Sequence, residues 1–482
     1  MLNLKFIIRI LGFLLVVESI AMLIASLVAV IYQGSDIKAL FLSTLLCSMT
    51  GLTVLALTGK VRKEMGKREG FVIVTIVWVL FSFFGSIPYL LSNSIPNLTD
   101  AFFETMSGFT TTGASILTDI ESLPHGILFW RSMTQWLGGM GIIVLSLAIL
   151  PIFGIGGMQL FAAEVPGPVT DKLNPRISST AKNLWFIYLF FTLLETVLLW
   201  IGGMTLFDAI NHSFTSMATG GYSTKQASIA YWSSPYIQYV LTFFMIIAGA
   251  NFTLSYFLLT GKYKNVIENE ELKYYLLFIA GFTAVIFVGL LITTDLGVEH
   301  AFRNSLFQVV TIITTTGYAT TDYLQWTPFL TIVLFAVFFF GGCAGSTGGG
   351  LKIMRIVLLL KNSYYELRRI IHPNAIIPVR FNKKPVSEQI ITNVLAFFMF
   401  YFVIFFISSV ILMLVVPDLS SSMGAVATSL GNIGPGLGLY GPAENFSSLH
   451  PFGKWFLSFL MLLGRLELFT VLVLFSPAFW KR

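Results

Sequence analysis

"LFQVVTIITTTGYA", residues 306–319, starts as an apolar stretch too short to cross a bilayer and ends in three threonines, a glycine and a tyrosine. A membrane-crossing helix needs about 20 residues. Three further stretches align on the same glycine: "FFETMSGFTTTGAS" (102–115), "INHSFTSMATGGYS" (210–223) and "MGAVATSLGNIGPG" (423–436). Around Gly113, Gly221, Gly317 and Gly434 the order is span, half-helix, glycine turn, span. The spacing is about one hundred residues, which marks internal repetition rather than four chance turns.

The flanking sequence supplies the spans. The chain has 482 residues, 56% hydrophobic and 11% charged, with mean hydropathy +0.82. A soluble domain carries about 25% charged residues, so this is a polytopic membrane protein. Apolar runs near 5–32, 36–58, 70–92, 125–150, 184–206, 236–260, 274–295, 327–361, 389–416 and 452–477 are candidate spans. The first run has Lys5 and Arg9 at its start but extends to Tyr32, longer than the apolar region of about 7–15 residues in a signal peptide. It is expected to stay as a span.

Charge follows topology. Basic residues gather in 59–69 (Lys60, Arg62, Lys63, Lys67, Arg68), 172–182 (Lys172, Arg176, Lys182), 261–273 (Lys262, Lys264, Lys273) and 352–384, and at both termini. Loops on the other side carry Asp100, Glu104, Asp119, Glu121, Asp208, Asp295, Glu299, Asp322, Asp418 and Glu444. The positive-inside rule puts both ends in the cytoplasm, and the surplus of +6 reads as topology, not a nucleic-acid footprint. Cys47 and Cys343 sit in apolar runs and the five histidines lie far apart, so neither a disulfide framework nor a zinc site is expected. No group of carboxylates, histidines or nucleophiles suggests an enzyme.

The repeat has a specific physical use. Non-helical backbone at membrane depth survives only where protein buries it or where it lines a watery cavity. Four extended Thr/Gly segments around an axis can replace the hydration shell of an alkali cation with carbonyl oxygens. Glycine allows the backbone angles required, and half-helix C-termini directed at the axis favour a cation. The predicted ligand positions are Thr111, Thr112 and Gly113; Thr219, Gly220 and Gly221; Thr315, Thr316 and Gly317; and Asn432, Ile433 and Gly434. "TTGYA" and "TGGYS" are similar to the TVGYG filter of potassium channels. A filter with one shared glycine per repeat is expected to be the less selective of the two.

The third repeat also holds "FFGGCAGSTGGGLKIMR" (339–355) inside the run 327–361. It superficially resembles a phosphate-binding loop, but Lys352 follows Leu351, Ile353 stands in the hydroxyl position, and the context is apolar. A helix broken by a flexible loop is the better reading, since each helical glycine costs about 1 kcal/mol relative to alanine. Arg465, in the run "LMLLGRLELFTVLVLF", is an intramembrane charge costing about 2.5–3.5 kcal/mol to insert. It is expected to face the pathway near the glycine loop. Pairing with Glu467 is the alternative, although residues two apart on a helix do not face each other. Glu18 and Glu195 are intramembrane carboxylates without an assigned role.

On the four glycine motifs, the "GGCAGSTGGGLK" segment and "LLGRLELF" (462–469), the chain resembles the Trk/Ktr/HKT superfamily of potassium transporters over its whole length. The resemblance implies an all-α fold of four span–pore-helix–span repeats around a pseudo-fourfold pore, preceded by two extra transmembrane helices. The divisions expected are 1–69 for the extra spans and 70–183, 184–272, 273–388 and 389–482 for the repeats. It implies bacterial inner-membrane K+ uptake, a homodimer, and a cytosolic ring of NAD- and nucleotide-binding regulatory subunits. It further implies a gate at Gly342, Gly345, Ser346, Thr347, Gly348, Gly349, Gly350 and Arg465. In some relatives serine replaces the first filter glycine and sodium permeates; Gly113 favours potassium over that alternative. The fourth motif lacks a threonine beside its glycine, an asymmetry usual in the family.

Overall fold

The computed structural model describes residues 2–59, 66–139, 141, 177–375 and 377–481. Among them the regular secondary structure is helical apart from one two-stranded hairpin, Arg380–Phe381 against Lys384–Pro385. Its turn residues, Asn382 and Lys383, both have positive φ, the geometry a tight hairpin needs.

Six helices are long and apolar enough to cross a membrane unbroken: Leu4–Ile31, Ile37–Thr58, Arg68–Leu91, Lys182–Ile201, Glu270–Thr293 and Glu388–Leu412. At 1.5 Å per residue, their 20–28 residues cover the hydrocarbon core of about 30 Å. Ile37–Thr58 buries Ala39, Leu40, Ser43, Cys47 and Gly51, a stripe at four-residue spacing that packs on Leu4–Ile31. Its other faces expose Phe41, Leu45, Met49 and Leu52, the pattern of a helix that meets lipid.

The remaining runs are not straight spans. Residues 236–260 form Pro235–Gly249 and Phe252–Leu259, bent by 106°. Extended backbone at Ala250 ends the first helix, and the Asn251 side chain caps the second by accepting from Thr253 N–H. Residues 452–477 form Pro451–Arg465 and Phe469–Phe475, bent by 110°, with Glu467 and Leu468 at positive φ. Hydropathy is continuous through both bends, so a window over sequence reads one span in each case. The run 327–361 does break, into Pro328–Val337 and Ile353–Ile371. The run 125–150 is seen as His125–Gly139; its later part, with Lys172, Arg176 and the loop residues Lys60, Arg62 and Lys63, lies outside the described residues.

Between the spans lie four half-length helices: Leu98–Phe109, Leu206–Met217, Val298–Ile313 and Leu419–Gly431. Three start on a side-chain cap: Asn97 accepts from Thr99 N–H, Thr205 from Asp208 N–H, and Asp418 from Ser421 N–H. Hydrogen bonds from Ser421, and next from Ser420, hold the Asp418 carboxyl below its ordinary range. Glu104 and Asp208 are buried inside these helices; Glu104 lies in the stretch 102–115 read as a half-helix, whereas Asp208 precedes the stretch 210–223. Lys352 and Arg355 are likewise buried, at the restart of a broken span.

Candidate functional site

The four half-helices end in one way. The residue two before each of the four aligned glycines donates its N–H three residues back: Thr111 to Gly108 O (3.0 Å), Thr219 to Ser216 O (2.8 Å), Thr315 to Ile312 O (2.9 Å) and Asn432 to Ser429 O (3.4 Å). The next residue reaches five back: Thr112 to Ser107 O (2.9 Å), Gly220 to Thr215 O (2.8 Å), Thr316 to Thr311 O (2.8 Å) and Ile433 to Thr428 O (3.0 Å). This is a Schellman closure, and its left-handed residue is usually glycine. Here the left-handed residues are Thr111, Thr219, Thr315 and Asn432, with φ of 53°, 53°, 59° and 54°. A β-branched residue at such angles is an outlier costing about 1–3 kcal/mol, and it persists only where the surroundings hold it.

Two residues on, Gly113, Gly221, Gly317 and Gly434 are left-handed again, at φ 83°, 75°, 85° and 104°. The residue between has negative φ in every repeat. The strands form a closed ring. A Cβ on Gly113 would lie 2.1 Å from Gly220 O, one on Gly221 2.0 Å from Thr316 O, one on Gly317 1.9 Å from Ile433 O, and one on Gly434 2.9 Å from Thr112 O. Each glycine thus abuts the carbonyl one residue before the glycine of the next repeat, and the fourth returns to the first. All four glycines line a single cavity, with Lys225 and Glu444 at its walls.

The ring is braced from behind. Tyr222 donates to Glu104 O (2.6 Å) and Tyr318 to His212 O (3.1 Å), so the tyrosine after one glycine ties to the half-helix of the preceding repeat. The Glu104 carboxylate accepts from Arg131 Nε (2.7 Å), Ser115 Oγ (3.0 Å) and Ile116 N–H (2.9 Å). Arg131 also donates to Ser223 O (3.0 Å) and lies 3.5 Å over the Tyr222 ring. Gln135 donates to Gly220 O (2.6 Å) and accepts from Tyr222 N–H (3.0 Å). Sequence reading missed Arg131 and Gln135. The available signal was two strongly polar residues four apart inside an apolar run, which are costly there unless they face protein.

Below the ring lies the loop between Val337 and Ile353. With Arg465 it touches every left-handed residue. Arg465 donates to Thr111 Oγ1 (3.2 Å) and to Thr347 O (2.6 Å). Thr219 Oγ1 lies 3.3 Å from Thr347 Oγ1, and Gly349 N–H donates to Thr315 Oγ1 (2.8 Å). A Cβ on Gly349 would lie 2.8 Å from Asn432 Oδ1 and 2.7 Å from Gly431 O. The predicted gate residues Gly348, Gly349 and Thr347 therefore sit against the Thr/Gly segments. Gly345 O instead accepts from Phe252 N–H (3.2 Å), and Gly342 O from Ile353 N–H (3.2 Å). Ser346 Oγ folds back on Cys343 O (2.7 Å), and Gly350 has φ 67°. Lys352 Nζ closes the loop onto Gly348 O, and the Glu271 carboxylate accepts from Ala344 and Met354 N–H. Arg465 also donates to Gly138 O and Gly139 O (3.0 Å for the latter), while Glu467 pairs with Arg355. Arg465 thus bridges the glycine loop, the first Thr/Gly segment and the end of the His125–Gly139 helix.

Glu18 and Glu195 are fully buried. Glu18 lies beside Cys47 (3.9 Å) and Gly85, and Glu195 beside Ser216. Among the described residues no three His, Cys, Asp or Glu side chains group as metal ligands. The oxygen-rich feature is the backbone ring.

The whole-chain comparisons converge. Residues 36–482 match the family model described as TrkH, cation transport protein. The chain is 43% identical over 479 residues to the Trk system potassium uptake protein TrkH of Escherichia coli K12, covering 98% of each. It is 40% identical over 483 residues to the Halomonas elongata protein of that name, covering 100% of each. The crystal structure of the potassium transporter TrkH from Vibrio parahaemolyticus matches with TM-score 0.90 at 38% identity, covering 100% of both chains. With this coverage, and with its apolar helices embedding it in a membrane, the chain belongs to the TrkH family of cation transport proteins.

Proposed function

We propose that this chain takes up potassium across the bacterial inner membrane through the ring of four Thr/Gly segments. The observation that carries the reading is the closed contact from each glycine to the next repeat's carbonyl. A dehydrated alkali cation on the axis meets carbonyls of Thr112, Gly220, Thr316 and Ile433 and their neighbours, which replace its water. Half-helix C-termini add negative potential. No acid–base or nucleophilic step is required, so the protein acts as a transporter and K+ as its cargo.

The loop 342–350 and Arg465 act as the gate in this reading. They cover the inner end of the ring, so ions pass only when Thr347, Gly348 and Gly349 move away. The family resemblance supports a homodimer and a TrkA-like cytosolic ring that binds NAD or other nucleotides and moves this loop. The basic residues of 352–384 supply a docking face, and both termini lie on that cytoplasmic side. The repeats at 70–183, 184–272, 273–388 and 389–482 are the units of the pore, with 1–69 outside it. The test is tracer uptake into proteoliposomes with rubidium and sodium compared. Rubidium uptake that potassium competes away and sodium does not is the expected result. Equal sodium uptake would instead support a sodium-permeable member of the same architecture.

A further inference from the structure

Three of the four ring positions before the glycine hold a side chain: Thr112, Thr316 and Ile433. The second repeat has Gly220 there. Backbone conformation does not explain this glycine, because Gly220 has negative φ, unlike its neighbour Gly221. Space does. A Cβ on Gly220 would lie 2.4 Å from Gln135 Cδ and 2.5 Å from Gln135 Oε1.

Gln135 is fully buried on the His125–Gly139 helix of the first repeat. Both ends of its amide are used on the second repeat's filter segment, Nε2 on Gly220 O and Oε1 on Tyr222 N–H. One turn earlier, Arg131 holds Ser223 O. One turn later, Gly139 lies against Ala218, three residues before Gly221. The next interface repeats that last contact, with Gly249 against Thr314, three residues before Gly317. Four residues before Gly249 stands Met245, and the ring residue there is Thr316. The polar clamp and the missing side chain therefore occur together at one interface and are both absent at the next.

We propose that Gln135 and Gly220 are a matched pair, and that Gln135 is a positioning residue that sets ion discrimination by fixing the Gly220 carbonyl. This rests on the filter reading above. A carbonyl that already accepts a buried hydrogen bond has a fixed direction and one lone pair engaged. It cannot swing inward to meet a smaller ion. The filter is thereby asymmetric, with one stiff carbonyl opposite the freer one of Ile433.

The experiment compares rubidium and sodium uptake by Gln135→Met in the full-length protein, with Gly113→Ser alongside and thermal unfolding measured on the same preparations. Methionine keeps the length and removes both hydrogen bonds. The rubidium-to-sodium ratio is expected to fall about fivefold, the effect of roughly one hydrogen bond, with a lowered but still cooperative unfolding transition because Gly220 O and Tyr222 N–H lose their partner. An unchanged ratio in Gln135→Met, with a lowered ratio in Gly113→Ser, overturns the clamp and leaves the filter reading standing. An unchanged ratio in both overturns the filter reading and the clamp with it. A second pair guards against misfolding. Gly220→Ala should lose uptake in cells and regain it when combined with Gln135→Ala; no recovery overturns the matched pair.

Discussion

Glu467 is ion-paired with Arg355 across the break that follows Arg465. Positive φ at Glu467 and Leu468 turns the chain off its helical path, so Glu467 faces the Ile353–Ile371 helix. The Arg355 guanidinium also lies 4.1 Å over the Phe397 ring, so the pair joins three elements just beneath the loop. Both side chains are mostly buried, and neutralising Glu467 takes a close opposite charge away from the Arg355 guanidinium. Glu467→Gln is expected to cost about 3 kcal/mol, seen as a lower unfolding midpoint in detergent. Exchanging the two residues, Arg355→Glu with Glu467→Arg, should recover part of the loss. A single variant as stable as the parent would remove this pair from the account.

The ring glycines should differ in tolerance. At Gly113, Gly221 and Gly317 an added Cβ meets a carbonyl at about 2 Å, whereas at Gly434 the nearest atom is 2.9 Å away. Serine at any of the four must also adopt an unfavourable left-handed conformation. Gly434→Ser is therefore expected to keep more rubidium-over-sodium discrimination than the other three, which should each lose about tenfold or more, about 1.4 kcal/mol by the thermal energy scale. Equal loss at all four positions would mean that backbone strain alone, not contact with the next repeat, sets the requirement.

The repeat was legible because four weak motifs share one register, and register is a property of the string. Hydropathy also located the runs, including the broken one at 327–361. It could not locate the bends at Ala250 and Glu467, because the residues there stay apolar enough for any window. The left-handed threonines were hidden for another reason. Local preference disfavours β-branched residues at positive φ, so only the tertiary ring holds Thr111, Thr219 and Thr315 in place. Arg131 and Gln135 carry a readable polar signal, but their partners Glu104, Gly220 and Ser223 lie 27, 85 and 92 residues away. Spacing in sequence does not encode such pairings.

The glycine loop can be tested by shortening it. Its contacts on the ring are made by Thr347, Gly348 and Gly349, while Gly341 N–H and Leu351 O close its base at 2.7 Å. Deleting several residues within 342–350, with the base kept, should open the inner end. Basal rubidium uptake in liposomes without a regulatory partner is expected to rise several-fold. A well-folded deletion protein with lower basal uptake than the parent would show that the loop supports the pathway rather than obstructing it.

Arg465 combines two effects that one variant can separate. Its guanidinium ties the loop at Thr347 O to the first filter segment at Thr111 Oγ1 and to the carbonyls of Gly138 and Gly139. It is also a fixed positive charge beside the proposed path. At about 4 Å such a charge opposes a monovalent cation by about 1 kcal/mol in water and about 4 kcal/mol at an effective dielectric of 20. Arg465→Ala removes both the tie and the charge, so rubidium flux is expected to rise by about tenfold. Arg465→Lys keeps the charge but loses the planar fork of donors, so its rise should be smaller. Some stability is lost in either variant, because buried carbonyls lose a donor. Flux and unfolding midpoint must therefore be read on the same preparation. A lower midpoint with no gain in flux would reduce Arg465 to a packing residue, whereas a gain in flux at a lower midpoint is the result that the gate requires.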